Sequence, residues 1–190
     1  FIQVQRGLGA SALGISSVGG TMNMVTKSTE AQKGGSAYFG IGNDGFRKYS
    51  VSFSTGLMDN GWAITFMGSL NTGDGYVKGT NYEGWTYFGN ISKVINDHHK
   101  LSLTAFGAPQ WHNQRSTMHY IEDYKNSPDG GRFNNGYGYI NGEAVGSGYG
   151  YNYYHKPQVS LNHYWTIDEK STLTTSLYGS MATGGGRRAR

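Results

Sequence analysis

From Gly34 onward, apolar and polar positions alternate with a period of two, the spacing at which a β-strand sends successive side chains to opposite faces. Ala37, Phe39 and Ile41 alternate with Ser36, Tyr38 and Gly40, and Tyr49, Val51, Phe53, Thr55 and Leu57 alternate with Lys48, Ser50, Ser52, Ser54 and Gly56. A third run sets Trp62, Ile64, Phe66 and Leu70 against Ala63, Thr65, Ser69 and Asn71. The pattern returns from Tyr82 to Ile95, Lys100 to Ala108, Gln158 to Ile167 and Ser171 to Met181, which makes seven strands. Each is near the ~9–11 residues that cross a bilayer at a tilt, and the second, third and fourth look longer. One face is apolar, while the other is small and hydroxyl-rich, as a wet lumen favours. Lys93 shares the apolar face with Ile91 and Ile95, at a cost of roughly 2–4 kcal/mol in mid-bilayer, so it is expected near the membrane edge.

The connections set an orientation. Met58-Asp59-Asn60, Asn96-Asp97-His98-His99 and Asp168-Glu169-Lys170 are tight polar turns at every second connection, so they share one side. The alternate connections are a short hairpin at Asn43-Asp44-Gly45, a loop from Gly73 to Asn81 and a much longer one from Pro109 to His155. Short periplasmic turns and long extracellular loops are the asymmetry of outer-membrane barrels. A final loop is expected from Ala182-Thr183-Gly184-Gly185-Gly186-Arg187.

Composition narrows the class. With 31 glycines and 15 tyrosines against 36% hydrophobic residues, a conventional two-layer core would be thin, whereas a barrel wall needs only its lipid-facing half to be apolar. Mean hydropathy is -0.54, and no run of about 18 apolar residues offers a transmembrane helix. The absence of cysteine excludes disulfides and thiolate metal sites. The net charge of +4 is scattered apart from Arg187, Arg188 and Arg190, so no basic stripe for nucleic acid forms. No charged n-region and apolar h-region open the chain, and Phe1 begins inside a motif, so the natural amino terminus is expected to lie upstream.

That motif runs from Gln5-Arg6-Gly7 through Gly14 to Gly19-Gly20-Thr21-Met22-Asn23-Met24-Val25-Thr26-Lys27, reading as strand, glycine-rich turn and second strand. It resembles the end of the plug domain in TonB-dependent outer-membrane receptors, which carries an Arg-Gly-Pro turn, a Tyr-Gly step and a Gly-Gly-x-x-Asn-x-x-Thr-Lys strand. Leu8 stands at the usual proline and Leu13 at the frequent tyrosine. Phe106 to Arg115, Gly150 to Pro157 and Gly184 to Arg188 resemble the same family, most closely a branch from gut-type anaerobic Gram-negative bacteria. The resemblance covers most of this chain but a minority of a complete receptor. It implies residues 1–33 as the end of the plug and its junction, with Arg6, Gly7, Gly19, Gly20 and Asn23 shaping the plug near the wall. Residues 34–190 become the first strands and loops of an all-β, antiparallel transmembrane β-barrel, incomplete within this chain. It further implies a Gram-negative outer membrane, energy-coupled uptake of a scarce solute such as a metal chelate, vitamin, glycan or peptide, and TonB engaged through a segment absent here. Outer-membrane lipid and a possible surface lipoprotein complete the partners. Neither cofactor nor bond-making chemistry is implied.

Candidate sites concentrate in the loop from Pro109 to His155, since irregular segments beyond about 12–15 residues are usually functional or disordered. Trp111, His112, Gln114, Arg115 and His119 are the expected ligand contacts, with the tyrosine tract from Asn134 to Tyr154 closing over the solute. A mobile surface loop is the plainer alternative for any single tyrosine. His112, His119 and Glu122 hold metal-binding atoms but no defined scaffold, so no metal site is assigned. Glu122 and Asp123 are adjacent rather than spaced as a hydrolytic pair. The glycines of 7–14 fit neither a dinucleotide nor a Walker loop. Trp62, Trp85 and Tyr164, at strand ends, are expected as interfacial anchors. Two other functions compete: a passive porin-type barrel, which predicts no plug-like double strand, and an extracellular Gly/Tyr-rich β adhesin, which predicts polar residues on both sheet faces.

Overall fold

A computed structural model describes residues 2–6, 20–24, 29, 31–115, 118–140, 143–144 and 150–187. β1 (Ile2–Arg6) and β2 (Gly20–Met24) pair antiparallel, Ile2 opposite Met24 and Arg6 opposite Gly20, giving the expected double strand. Asn23 pairs with Gln3, whereas Gly7 and Gly19 lie outside the described residues.

The main sheet starts with β3 (Gly34–Ile41), β4 (Arg47–Leu57), β5 (Trp62–Gly73), β6 (Tyr82–Val94) and β7 (His99–Gly107), followed by the short β8 (Gln110–Asn113). A long connection then holds α1 (Ile121–Asn126), a 3-10 turn at Gly130–Arg132, and the small pair β9 (Tyr139–Ile140) and β10 (Glu143–Ala144). β11 (Tyr151–His155), β12 (Gln158–Thr166), β13 (Thr172–Ser180) and β14 (Thr183–Gly186) complete it. In space the order is β3-β4-β5-β6-β7-β12-β13, an antiparallel meander whose outer strands, β3 and β13, do not meet.

The strands overrun their expected ends. β6 pairs Tyr87 with Gly107 on β7 and Tyr82 with His112 on β8, and this is one unbroken register. The same holds where β12 and β11 face β7 and β8, and where β13 and β14 face β12 and β11. Residues 99–113, 151–166 and 172–186 are therefore three long strands, each interrupted by two residues. Two expectations are corrected: the long loop neither begins at Pro109 nor runs to His155, since 110–113 and 151–155 are strands, and 183–186 is a strand, not a loop. Proline misleads because it signals an end to pairing. Here Pro109 loses only its donor, while its carbonyl still accepts from the Trp85 N–H at 2.8 Å.

One bulge breaks phase. The ladder shifts between Ser54 and Leu57, where Gly56 sits at φ +64°, and the Thr55 hydroxyl accepts from the Ile64 N–H at 2.9 Å. Leu57 consequently pairs with Ala63, so it leaves the apolar set in which alternation alone had placed it.

Elsewhere the outer face is apolar across the middle of the sheet, while the inner face is mainly small and polar but includes one apolar row, Met67, Phe88 and Phe106. Register puts Phe53, Phe66, Ala105 and Val159 in one outer row, and Ile64, Ile91, Leu103, Leu161 and Leu177 in the next. Many of these are exposed, as a surface meant for lipid would be. Opposite them, the inner face packs small polar groups. Asn90 donates from Nδ2 to Ser102 Oγ (2.9 Å) and Thr104 Oγ1 (2.8 Å), and accepts from Ser92 Oγ at 2.8 Å. All four are buried, so the network satisfies groups that would otherwise each cost about 1–3 kcal/mol. Tyr164 belongs to this inner face: it pairs with Lys100, whose Nζ lies 4.6 Å from its ring, and is therefore no lipid-facing anchor.

The turns follow their chemistry. Asp44 and Gly45 both have positive φ (54° and 70°), the two-residue turn that matches strand twist. Asn96 Oδ1 accepts the N–H groups of His98 and His99, each at 2.9 Å. Lys93 lies over the Trp62 ring at 5.2 Å and donates to Asn60 O at 2.5 Å, which puts it at the tight-turn end of the sheet.

Two outcomes are expected. In the full-length protein, Asn90→Ala should lower unfolding free energy by about 1–3 kcal/mol, because it removes three buried hydrogen bonds and leaves the Thr104 hydroxyl without its side-chain partner, while Ser92 and Ser102 keep theirs at 3.0 Å; denaturant titration of detergent-solubilised protein measures this. Hydrogen bonds from the Lys170 amide and from Ser171 hold the Asp168 carboxyl below its ordinary 3.8. That stabilising charge is present above the unfolded pKa and is lost as pH falls through the folded one. Amide protection at Lys170 should thus fall below about pH 4, and Asp168→Asn should abolish that pH dependence.

Candidate functional site

The end of the sheet opposite the tight turns carries the long connections, and three of them lock together. Arg132 donates from Nη2 to Asp44 Oδ1 (2.6 Å), donates from Nη1 to Tyr76 O (3.2 Å), and lies 4.8 Å from the Tyr76 ring. Lys78 pairs with Asp129 at 2.5 Å, and the buried Asn134 donates to Lys78 O at 2.7 Å. Backbone bonds from Asp74 N to Asp44 O and from Lys78 N to Arg132 O, at 2.8 and 2.9 Å, run alongside. The hairpin at 43–46, the loop at 73–81 and the segment at 118–138 are one packed body.

That body has its own small core. His119 is buried, with a side chain 6% exposed, and sits edge-on to Tyr124 and Phe133 at 5.8 and 5.1 Å. Its Nδ1 is 3.8 Å from Asp123, and its Nε2 has no hydrogen-bond partner among the described residues. Arg115 lies 5.2 Å from the Tyr124 ring and donates to Phe133 O at 3.0 Å. Both expected contacts hold the loop together rather than stand open to a solute.

The other expected contacts divide between faces. Trp111 and His112 are on β8, not in a loop, and adjacent strand residues point opposite ways. Trp111 continues the outer row of Arg47, Thr72 and Glu83, whereas His112 joins Tyr82 and Asn152 on the inner face. Gln114 follows with the same parity as His112, its N–H bonded to Gly150 O at 3.0 Å. The wall therefore separates Trp111 from His112 and Gln114.

The inner face at this end is a polar shelf. One row is Lys48, Asn71, Gly84, Gln110 and Tyr154; the next is Gly73, Tyr82, His112 and Asn152. Both levels are crowded: a Cβ at Gly73 would meet the Tyr82 ring at 2.8–2.9 Å, and one at Gly84 would press on Asn71 Oδ1 at 3.1 Å. Among the described residues of the seven spanning strands and their extensions, the inner face carries Lys48, Lys100 and Lys156 but no carboxylate, and Glu83 belongs to the outer face. Such a surface offers hydrogen-bond donors, cations and ring faces.

Lys48 and Tyr82 were not singled out as contacts by sequence, and Gln110 and Tyr154 were assigned to a loop. Carrying the alternation through Pro109 and Pro157 would have found the last two. Arg132 gave no local signal, because its partner Tyr76 is 56 positions away.

A two-faced antiparallel sheet with short turns at one end and packed loops at the other is a segment of a transmembrane-type β-barrel. In fold the chain is similar to the ferric-catecholate import receptor Fiu of E. coli K12, in its open form, with a TM-score of 0.71 at 15% sequence identity. The match covers 96% of this chain and 28% of that one, so the chain spans well under half of the receptor's length. No protein-family model and no curated protein sequence matches. This architecture is the one that the resemblance to TonB-dependent receptors implied.

Arg132→Ala should release the loop body. The loss of two hydrogen bonds and a ring contact, discounted for solvent exposure, is worth ~1–2 kcal/mol, so exchange at the Asp74 and Lys78 amides should rise about tenfold. Hydrogen–deuterium exchange of the full-length protein reads this directly.

Proposed function

We propose that this chain is part of a TonB-dependent receptor in a Gram-negative outer membrane, forming wall and outer mouth of a barrel that imports a scarce solute. The observation that carries the reading is the division of one sheet into an apolar outer face and a hydrogen-bonded polar inner face, in a fold matched over 96% of the chain by an import receptor. The paired strands at the amino end support a plug ahead of the barrel. Transport of this kind uses no bond-making step: solute binds at the outer mouth, TonB acts on the plug from the periplasmic side, and a polar path opens. The inner shelf of Lys48, Tyr82, Gln110, His112 and Tyr154 supplies contacts at the mouth, and Gln114 extends it. A surface lipoprotein over the loops would fit the same arrangement.

Deleting the complete gene and supplying single limiting nutrients identifies the solute by the growth that is lost. Energy coupling predicts that deleting TonB abolishes the same uptake. A passive barrel would keep it, and that result would reject the proposal. With the solute known, Gln110→Ala combined with His112→Ala should weaken uptake at limiting concentration about tenfold, at unchanged outer-membrane abundance.

A further inference from the structure

The outer face above the apolar rows carries a group of side chains on the opposite side of the wall from the inner shelf. Trp111 and Tyr151 stack with ring centres 6.2 Å apart, Tyr151 and Tyr153 lie 6.0 Å apart, and the Arg187 guanidinium is 5.1 Å from the Tyr151 ring. The Arg187 N–H bonds to Tyr151 O at 2.8 Å, which fixes the strand end beside the rings. Gly185 makes room: a Cβ there would meet the Tyr153 ring at 3.0–3.2 Å. Two clefts adjoin and share Glu83 and Trp111: one of about 160 Å³ against Trp85, Pro109, Tyr153 and His155, the other of about 260 Å³ against Arg47, Thr72 and Asn81.

Position argues for what covers these rings. Register assigns Trp111, Tyr151 and Tyr153 to the same face as Leu103 and Leu161. His99, which stacks on Trp165, marks the other edge of that face. From His99 to Trp111 the strand runs roughly 40 Å at ~3.3 Å per residue, or about 30 Å of height at a tilt near 40°. A barrel's apolar band is ~25 Å tall, so the rings stand just above the hydrocarbon, at headgroup level. Flat aromatic faces suit sugar rings, and a guanidinium suits phosphate. The nearby carboxylate, Glu83, accepts from Trp85 Nε1 at 2.9 Å, and Arg47 shares its row.

We propose that Trp111, Tyr151, Tyr153 and Arg187 form a membrane-side site for the headgroup of a phosphorylated glycolipid of the outer leaflet, with sugar on the rings and phosphate on Arg187. The site rests on the outer-membrane reading but not on the identity of the solute. It gives Trp111 a lipid partner in place of the transported one.

The test uses full-length receptor purified from its host membrane, with native mass spectrometry of bound lipid. Delipidated protein in nanodiscs is then titrated with lipopolysaccharide, either intact or phosphatase-treated. Wild type should retain glycolipid and bind the intact form. Arg187→Gln should lower its affinity at least tenfold and remove the preference for the phosphorylated form. Trp111→Ala should weaken both forms, and His112→Ala on the inner face should change neither. Arg187 is exposed at a strand end, so its variant folds whether or not the tryptophan variant does. Equal glycolipid binding by wild type and Arg187→Gln would overturn the site while leaving the transporter reading intact. A protein absent from the outer-membrane fraction would overturn both.

Discussion

The antiparallel register is the constraint on which everything else depends. Because side chains alternate strictly, one pairing decision at Tyr87–Gly107 determines the face of every residue from His99 to Asn113. A slip of one residue would turn Leu101 and Leu103 inward and expose Ser102 and Thr104 to hydrocarbon. The buried cluster of Asn90, Ser92, Ser102 and Thr104 opposes such a slip, since its hydrogen bonds close only when these strands keep step. Polar side chains here do the work of specifying alignment that apolar packing does in a water-soluble core.

The sheet was legible from sequence because period two is a strong signal wherever one face meets lipid. Tight turns were legible too, through Asp44-Gly45 and the Asn96 side chain, whose chemistry is local. What failed had physical reasons. Alternation counts residues, so it cannot anticipate the extra one at Thr55–Gly56 that moves Leu57. Proline reads as a stop, yet Pro109 occupies a paired position at the loss of one donor. The candidate site residues were grouped by proximity in sequence, which the strand geometry does not respect. Trp111 and His112 are neighbours along the chain and lie on opposite sides of the wall.

The long connection shows the limit of composition as a guide. Part of the Gly/Asn/Tyr tract expected to close over the solute, 141–142 and 145–149, lies outside the described residues, whereas the preceding part of the connection, 118–138, is anchored by contacts that span distant segments. Arg132 reaches Asp44 and Tyr76, Asn134 reaches Lys78, and the His119 ring is sealed between Tyr124 and Phe133. These contacts tie the 43–46 hairpin, the 73–81 loop and 118–138 to one another.

The clamp at Arg132 also determines what a binding protein would meet there. Its partners come from three stretches of chain, so the surface they form is a discontinuous epitope that no short peptide from one loop reproduces. Antibodies raised against synthetic loop peptides would recognise denatured chain and miss the folded one. Those selected on the folded protein would lose their target when Arg132 lets go.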